Sequence, residues 1–408
     1  MNEKVLALVM AGGEGSRLHP LTAERSKPSV PFGGRYRIVD FVLSNLINSE
    51  INSIYLLVQY KSQSLIEHVR QSWVLSPMLP AQFVTIVPPQ MLAGEEWFQG
   101  TADAVRQNLN LIYQHKPDLV AVFGADHIYR MDLRQMVAFH LAHDCDVSVA
   151  ALPVPIEQAS AFGVITADAE GKIAEFLEKP ESPPPMPGDP RRVYASMGNY
   201  LFRTGTLVKA LESDLTQHET DFGRHVLPRL IGDHKVYAYN FGQNKVPGAK
   251  AYEEANYWRD VGTIEAYFDA HQDVLGREPR FDVLNRQWPI YSSSYQGPVA
   301  KVMSGNICNS ILGGGALICG ASVKDTILRR EVTLEDDVEL DQCIIMDYAR
   351  IERGCKLRRV IVDRYNVIKA GTTIGYDEAA DRERYHVSDS GIVVIGRGKR
   401  GLDRRYAL

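Results

Sequence analysis

Three shortages bound what this chain can be. The five cysteines, Cys145, Cys308, Cys319, Cys343 and Cys355, are odd in number and include no Cys-x-x-Cys pair. A zinc site and a disulfide framework are therefore not expected, and a reducing compartment is. No apolar run approaches the ~20 residues that cross a bilayer. The first such run, 5–11, ends in a glycine loop rather than a cleavage site, so no membrane partner and a cytoplasmic location are expected. Positive charge is also scarce: 45 Lys and Arg against 50 Asp and Glu give a net charge of -5. That balance argues against nucleic-acid binding driven by bulk charge. Only the extreme C-terminus gathers cations, at Arg397, Lys399, Arg400, Arg404 and Arg405, which reads as a solvated tail or an anion site.

What is present begins with Val5-Leu6-Ala7-Leu8-Val9-Met10-Ala11-Gly12-Gly13-Glu14-Gly15-Ser16-Arg17-Leu18. The apolar half reads as a buried strand of a parallel sheet. Gly12, Gly13 and Gly15 remove side chains that would keep a phosphate from backbone N–H groups. Arg17 adds planar, forked donors, and Lys27 a second cation within loop reach. The spacing matches neither the dinucleotide Gly-x-Gly-x-x-Gly nor a P-loop. A nucleoside triphosphate is the expected ligand; the alternative is an ordinary strand-to-helix turn.

At 408 residues the chain exceeds a typical single core, so two domains are expected. Strands over 54–58, 83–87, 119–123 and 146–151 alternate with helices over 35–48, 62–69, 102–113 and 133–143. Such alternation predicts an α/β domain with a mostly parallel sheet. Ligands of these sheets lie beyond the carboxyl ends of the strands, which puts the glycine loop and Asp126 on one rim. The alternative for Asp126 is a helix cap. A hairpin is expected over 163–179, a Pro-rich loop over 180–190 and a helix over 264–275. Residues 276–300 read as a linker. Beyond it, Val332, Val338 and Ile344 are six apart, as are Ile345, Ile351 and Leu357, and Val362, Ile368 and Ile374. A six-residue aliphatic period is the mark of a parallel β-helix with three hexads per coil. A small meander of ordinary strands is the alternative.

Several motifs then stand in one order along the chain. They are the glycine loop with Lys27, Gly33-Gly34-Arg35-Tyr36-Arg37-Ile38-Val39-Asp40-Phe41, Trp97-Phe98-Gln99-Gly100-Thr101-Ala102-Asp103-Ala104-Val105, Asp126-His127-Ile128-Tyr129, Ser160-Ala161-Phe162-Gly163-Val164, Glu178-Lys179-Pro180 and Trp258-Arg259-Asp260-Val261-Gly262-Thr263. This set resembles the sugar-phosphate nucleotidyltransferases, and within them the ADP-glucose pyrophosphorylases, over nearly the whole chain. The resemblance implies a Rossmann-like catalytic domain over 1–275 and a left-handed parallel β-helix over 301–408 for regulation and oligomerisation. It implies that ATP and glucose 1-phosphate react to give ADP-glucose and pyrophosphate, an allosterically regulated step of glycogen or α-glucan synthesis. A magnesium cofactor, small-molecule effectors and a homotetramer belong to the same implication.

The resemblance also distributes roles. Gly12 and Gly13 admit ATP, and Gln59 and Gly100 lie near its adenine. The opening of a helix at Gly100-Thr101 favours anions or polar ligand groups. Arg17 and Lys27 steady the triphosphate, while Asp126 and Asp260 hold magnesium. Lys179 takes the sugar phosphate, Glu178 the sugar hydroxyls, and Gly163 and Ser196 line that pocket. Gln59 and Trp97 match positions that pass an activator signal, and Arg37, Arg400, Arg404 and Arg405 are candidates for an effector anion. Bland alternatives stand beside these: Asp260 as a helix cap, Lys179 and Glu178 as solvated charges. Two departures matter. Glu24 and Pro31 replace a lysine and a histidine found in members activated by fructose 1,6-bisphosphate, and the resulting charge reversal repels a phosphate. Ala125 replaces a glycine before the aspartate. The rival readings are the same chemistry with UTP or dTTP, a non-catalytic regulatory subunit, and a hexapeptide-repeat acyltransferase.

Overall fold

A computed structural model describes residues 3–75, 81–90, 97–178, 180, 182–212 and 219–399. Lys179, the Glu178 side chain, Arg400, Arg404 and Arg405 lie outside the described residues. Val5–Ala11 is apolar at every position and almost wholly buried, which suits the centre of a sheet covered on both faces. It pairs in parallel with Ser53–Val58 and with Leu119–Gly124, and Phe83–Val87 extends the sheet in parallel beyond Ser53–Val58. On the other side Arg192–Arg203 pairs antiparallel with Leu119–Gly124, Val147–Pro155 and Gly163–Ala167. The expected hairpin closes that edge as Gly163–Ala167 and Ile173–Glu178.

Arg192–Arg203 is a strand that the sequence pattern does not announce. Its pairing shifts between Ser196 and Tyr200, and Gly198 there takes a φ of 69°. Such a bulge breaks the alternation by which a strand is read. Two expected helices also differ. The helix over 35–48 starts only at Val39, because Tyr36–Arg37 pairs with Pro31–Phe32 as a small hairpin. The helix over 102–113 is two helices, Thr101–Arg106 and Leu109–His115. Buried Asn108 sits at the break and donates its amide to the Ala104 carbonyl at 2.8 Å, competing with the backbone ladder.

Residues 276–300 contain no helix or strand, yet Phe281 and Trp288 are buried. Phe281 stacks on Tyr257 with ring centroids 4.8 Å apart, and Trp288 Nε1 donates to Asn45 Oδ1 at 3.2 Å. The segment is thus strapped onto the first half of the chain.

Past it the strands pair only in parallel until the final hairpin. Leu317 lies beside Thr333, Thr333 beside Arg350 and Arg350 beside Val367. Up to Val367–Ile368 the coils of this left-handed β-helix repeat one or two residues short of three hexads, which is why the period slips; the last step, from Val360–Val362 to Val393–Ile395, is longer. Left-handed residues such as Glu331, Tyr348 and Tyr365 turn the corners. Val332, Val338, Ile345, Ile351, Leu357, Val362, Ile368 and Ile374 fill the interior. Ile344 does not. It packs on the outer face with Ile327, Ile361 and Val394, against Phe32, Phe41, Tyr267 and Phe268 of the first half. Neighbouring strand residues face opposite sides, so Ile344 and Ile345 serve different cores.

Candidate active site

The carboxyl end of Val5–Ala11 opens onto a cleft of about 570 Å³. Gly12, Gly13, Arg17, Lys27, Gln59, Gly100 and Asp126 all line it, with Thr101, His127, Tyr200, Asp221 and Phe222. Around Gly13 an added Cβ would meet nothing within 4 Å, so backbone there faces open space. Gly15 takes a φ of 63°, and a Cβ on it would lie 3.0 Å from the Lys27 Cβ. The loop leads into a single turn, Ser16–Leu18, rather than a helix. Arg17 is exposed on the cleft wall and reaches Gly262, where a Cβ would come within 3.0 Å of its Nη2.

Lys27 is buried, in the one-turn Lys27–Ser29. Its Nζ lies 3.0 Å from Asp126 Oδ2 and 2.6 Å from Asp260 Oδ1. The two carboxylates are far apart in sequence but meet through a two-strand ladder. His127–Tyr129 pairs antiparallel with Trp258–Asp260, which sets Asp260 opposite His127. Neither aspartate is a helix cap. A strand, not a helix, follows Asp126. After Asp260 the cap of Ile264–Gln272 is Thr263, whose side chain accepts from Ala266 N at 3.2 Å. Burial works against charge on Asp126, but His127 and the Lys27 ammonium hold its carboxyl well below the usual carboxylate range. Burial likewise opposes the charge on Lys27, and the two carboxylates more than offset it.

Gln59 turns inward to the chain. Its Nε2 donates to the Phe98 carbonyl at 3.2 Å, and Phe98 N donates to its Oε1 at 2.7 Å. The side chain therefore acts as a peptide-like latch between the end of Ser53–Val58 and segment 97–100. Trp97, next to the latch, is half exposed and does not line the cleft.

The opening of Thr101–Arg106 is no free anion site. The Ala102 and Asp103 N–H groups both donate to the Thr220 carbonyl, at 2.8 and 3.2 Å. The same carbonyl explains Gly100: a Cβ would stand 2.4 Å from it. The glycine serves a close backbone approach, and the expectation of an anion at this helix start is corrected.

Gly163, Glu178 and Ser196 come together away from the cleft lining. Gly163 pairs with Glu178 across the hairpin, and Val164 pairs with Ala195. Arg37 lies elsewhere, where the two halves meet, donating to the Ser64 carbonyl and hydroxyl at 2.7 and 2.9 Å. Burial, with the nearby Arg364, lowers its pKa to about 9. Arg25 is buried beside it, paired with Asp363 at 2.5 Å. Its Nε and Nη1 have no partner among the described residues, nor has Arg364 Nε. Glu24 is bound to Arg397 Nη1 at 2.5 Å. Sequence reading missed Arg25 and Arg364 because isolated arginines carry no motif. It missed His127, Thr101 and Asp221 as cleft residues because no spacing sets them apart from their neighbours.

Residues 6–277 match the model of the Nucleotidyl transferase family, and residues 298–395 that of the GlmU-like, C-terminal hexapeptide. A protein of Thermodesulfovibrio yellowstonii named glucose-1-phosphate adenylyltransferase is 56% identical over 98% of both chains. Proteins of the same name from Corynebacterium jeikeium and Deinococcus radiodurans are 46% and 43% identical. The first of these covers 96% of this chain and 98% of its own, the second 98% and 99%. The chain belongs to the glucose-1-phosphate adenylyltransferase family of nucleotidyl transferases. Nucleotidyl transferases of this family generally use a divalent metal, and the donor set here fits one. One ligand atom from each of Asp126, His127 and Asp260 falls within 4.8 Å of the other two. Carboxylate oxygens suit a hard dication, and the buried His127 Nδ1 has no partner among the described residues.

Proposed function

We propose that this cleft transfers the adenylyl group of ATP to glucose 1-phosphate, releasing pyrophosphate, with Lys27, Asp126 and Asp260 at the reacting phosphates. A phosphate oxygen of the sugar attacks the α-phosphorus in line, and pyrophosphate leaves opposite. No serine, cysteine or histidine nucleophile is needed; positioning and charge neutralisation carry the reaction. The glycine loop lets backbone N–H groups approach ATP, and Arg17 and Lys27 neutralise the departing pyrophosphate. Asp126 and Asp260 hold magnesium, which supplies Lewis-acid stabilisation to the phosphate oxygens when bound. Gln59 and Gly100 shape the adenine side through segment 97–100. Gly163, Ser196, Glu178 and Lys179 receive the sugar phosphate. The single observation that supports the reading best is Lys27 bridging Asp126 and Asp260 beneath the glycine loop.

The regulatory reading rests on the boundary between the halves. Among the described residues Arg25 and Arg364 have buried donors left over, and Arg37 lies beside them as a third cation, a setting that suits a small anionic effector. Glu24, held by Arg397, stands at the same boundary and disfavours a sugar bisphosphate. Trp97 joins Gln59 in relaying that signal, and Arg400, Arg404 and Arg405 extend the anion site. A homotetramer in the cytoplasm, serving α-glucan synthesis, completes the proposal.

A pyrophosphate-release assay with glucose 1-phosphate and a panel of ATP, UTP and dTTP tests it. ATP is the expected donor, and Asp126→Asn is expected to cut turnover by roughly 10²-fold or more with the fold intact. Preference for UTP or dTTP, or near-normal turnover of the variant at saturating magnesium, overturns it.

A further inference from the structure

We propose that Lys27 is the resident cation of the Asp126–Asp260 pair when the cleft is empty, and that a divalent metal takes this position only as the Lys27 ammonium is drawn away to phosphate. The inference builds on the assignment of these two carboxylates to the metal. Lys27 Nζ contacts one oxygen of each, at 3.0 and 2.6 Å, so it sits between the groups a dication would bridge. An ammonium and a dication repel one another strongly at such separations, and the two cannot share the place.

The surroundings say which part of Lys27 can move. Its backbone is pinned: Val30 N donates to the Lys27 carbonyl at 3.0 Å, and Ser29 N to the Ser26 carbonyl at 3.1 Å. The loop at Gly15 packs on its Cβ. Only the flexible stem beyond is free to swing, a range that a lysine has and a shorter cation lacks. The open backbone at Gly13 lines the same cleft as Lys27. Arg17 lies near Asp260 but does not hold this place. Its guanidinium stands against Gly262, and no ion pair joins it to either carboxylate among the described residues.

Two consequences follow. The carboxylates are kept together without metal, because an ion between them offsets their mutual repulsion. Metal and triphosphate must also favour each other's binding, since each helps remove what opposes the other; such coupling is reciprocal.

The test is a titration of the full-length, nucleotide-free protein with Mn2+, followed by the electron paramagnetic resonance of the free ion. Wild type is expected to bind weakly, and Lys27→Met roughly tenfold more tightly or better. Lys27→Arg, which keeps a cation, stays weak. Arg17→Met, which removes a nearby charge that touches neither carboxylate, stays close to wild type. Adding Asp126→Asn to Lys27→Met abolishes the gain. Lys27→Gln serves if the methionine variant does not fold, as judged by its circular dichroism melt. Equal Mn2+ affinity in wild type and the neutral Lys27 variants overturns the inference, as does an equal gain in Arg17→Met. A gain that persists when Asp126 is also replaced overturns the carboxylate assignment on which it rests.

Discussion

At the scale of single residues, two positions show how a side chain, or its lack, is dictated by what faces it. Gly100 has an extended backbone that any residue adopts; what it cannot spare is space. With a Cβ 2.4 Å from the Thr220 carbonyl carbon's oxygen, Gly100→Ala is expected to cost about 1–3 kcal/mol. A lowered denaturant midpoint with an unchanged slope is the expected result. His271 is the other. Its Nδ1 donates to the Tyr267 carbonyl at 2.8 Å and its Nε2 accepts from Gly33 N at 3.1 Å, so it is held neutral. Burial pushes its pKa down to about 3 from 6.5. The unfolded chain therefore takes up a proton first as pH falls. The stabilisation is complete above about 6.5 and is lost between there and about 3, by up to about 1.4 kcal/mol per pH unit. Urea midpoints measured across that window should fall with pH. In His271→Phe they should start lower at pH 7 but decline less steeply. His140, pushed to about 4 by burial, leaves a residual slope.

At the scale of elements, the glycine loop and the two-strand ladder do different work. The loop keeps side chains away; the ladder of His127–Tyr129 with Trp258–Asp260 brings two carboxylates in. Segment 97–100 is joined to the sheet by Gln59, whose amide satisfies both backbone groups of Phe98. Gln59→Leu leaves those groups unpaired and frees the segment. The KM for ATP is expected to rise roughly fivefold or more, with the KM for glucose 1-phosphate little changed. Steady-state kinetics in each substrate separate the two; an equal rise in both counts against a nucleotide-side latch.

For the whole molecule, the decisive feature is that one apolar cluster spans both halves. Ile327, Ile344, Ile361 and Val394 of the β-helix share it with Phe32, Phe41, Tyr267 and Phe268. Arg329 completes the seam. It is buried, bonds Asp347 at 3.0 Å, and donates to the Phe32, Gly33 and Tyr36 carbonyls at 2.9, 2.7 and 3.0 Å. Arg329→Met strips Asp347 of one buried partner and three carbonyls of their donor, at an expected cost of about 3–5 kcal/mol. Calorimetry is then expected to show one unfolding transition for wild type and two for the variant. The same seam carries the arginines of the proposed effector site, so a change there reaches the segment that begins at Pro31.

Much of this was legible in one dimension. The buried first strand, the glycine loop, the α/β alternation and the six-residue period depend on neighbours in sequence, so composition and spacing declare them. The bulged strand Arg192–Arg203, the break at Asn108 and the outward-facing Ile344 were not, because each depends on which partner lies alongside. Sequence determined that Lys27, Asp126 and Asp260 were available, and that Asp126 and Asp260 were open to a bland reading as caps. Only the tertiary structure decided that all three meet, and that Thr263 does the capping. Charges this distant along a chain are brought into contact by strand pairing and burial, and neither is written in local spacing.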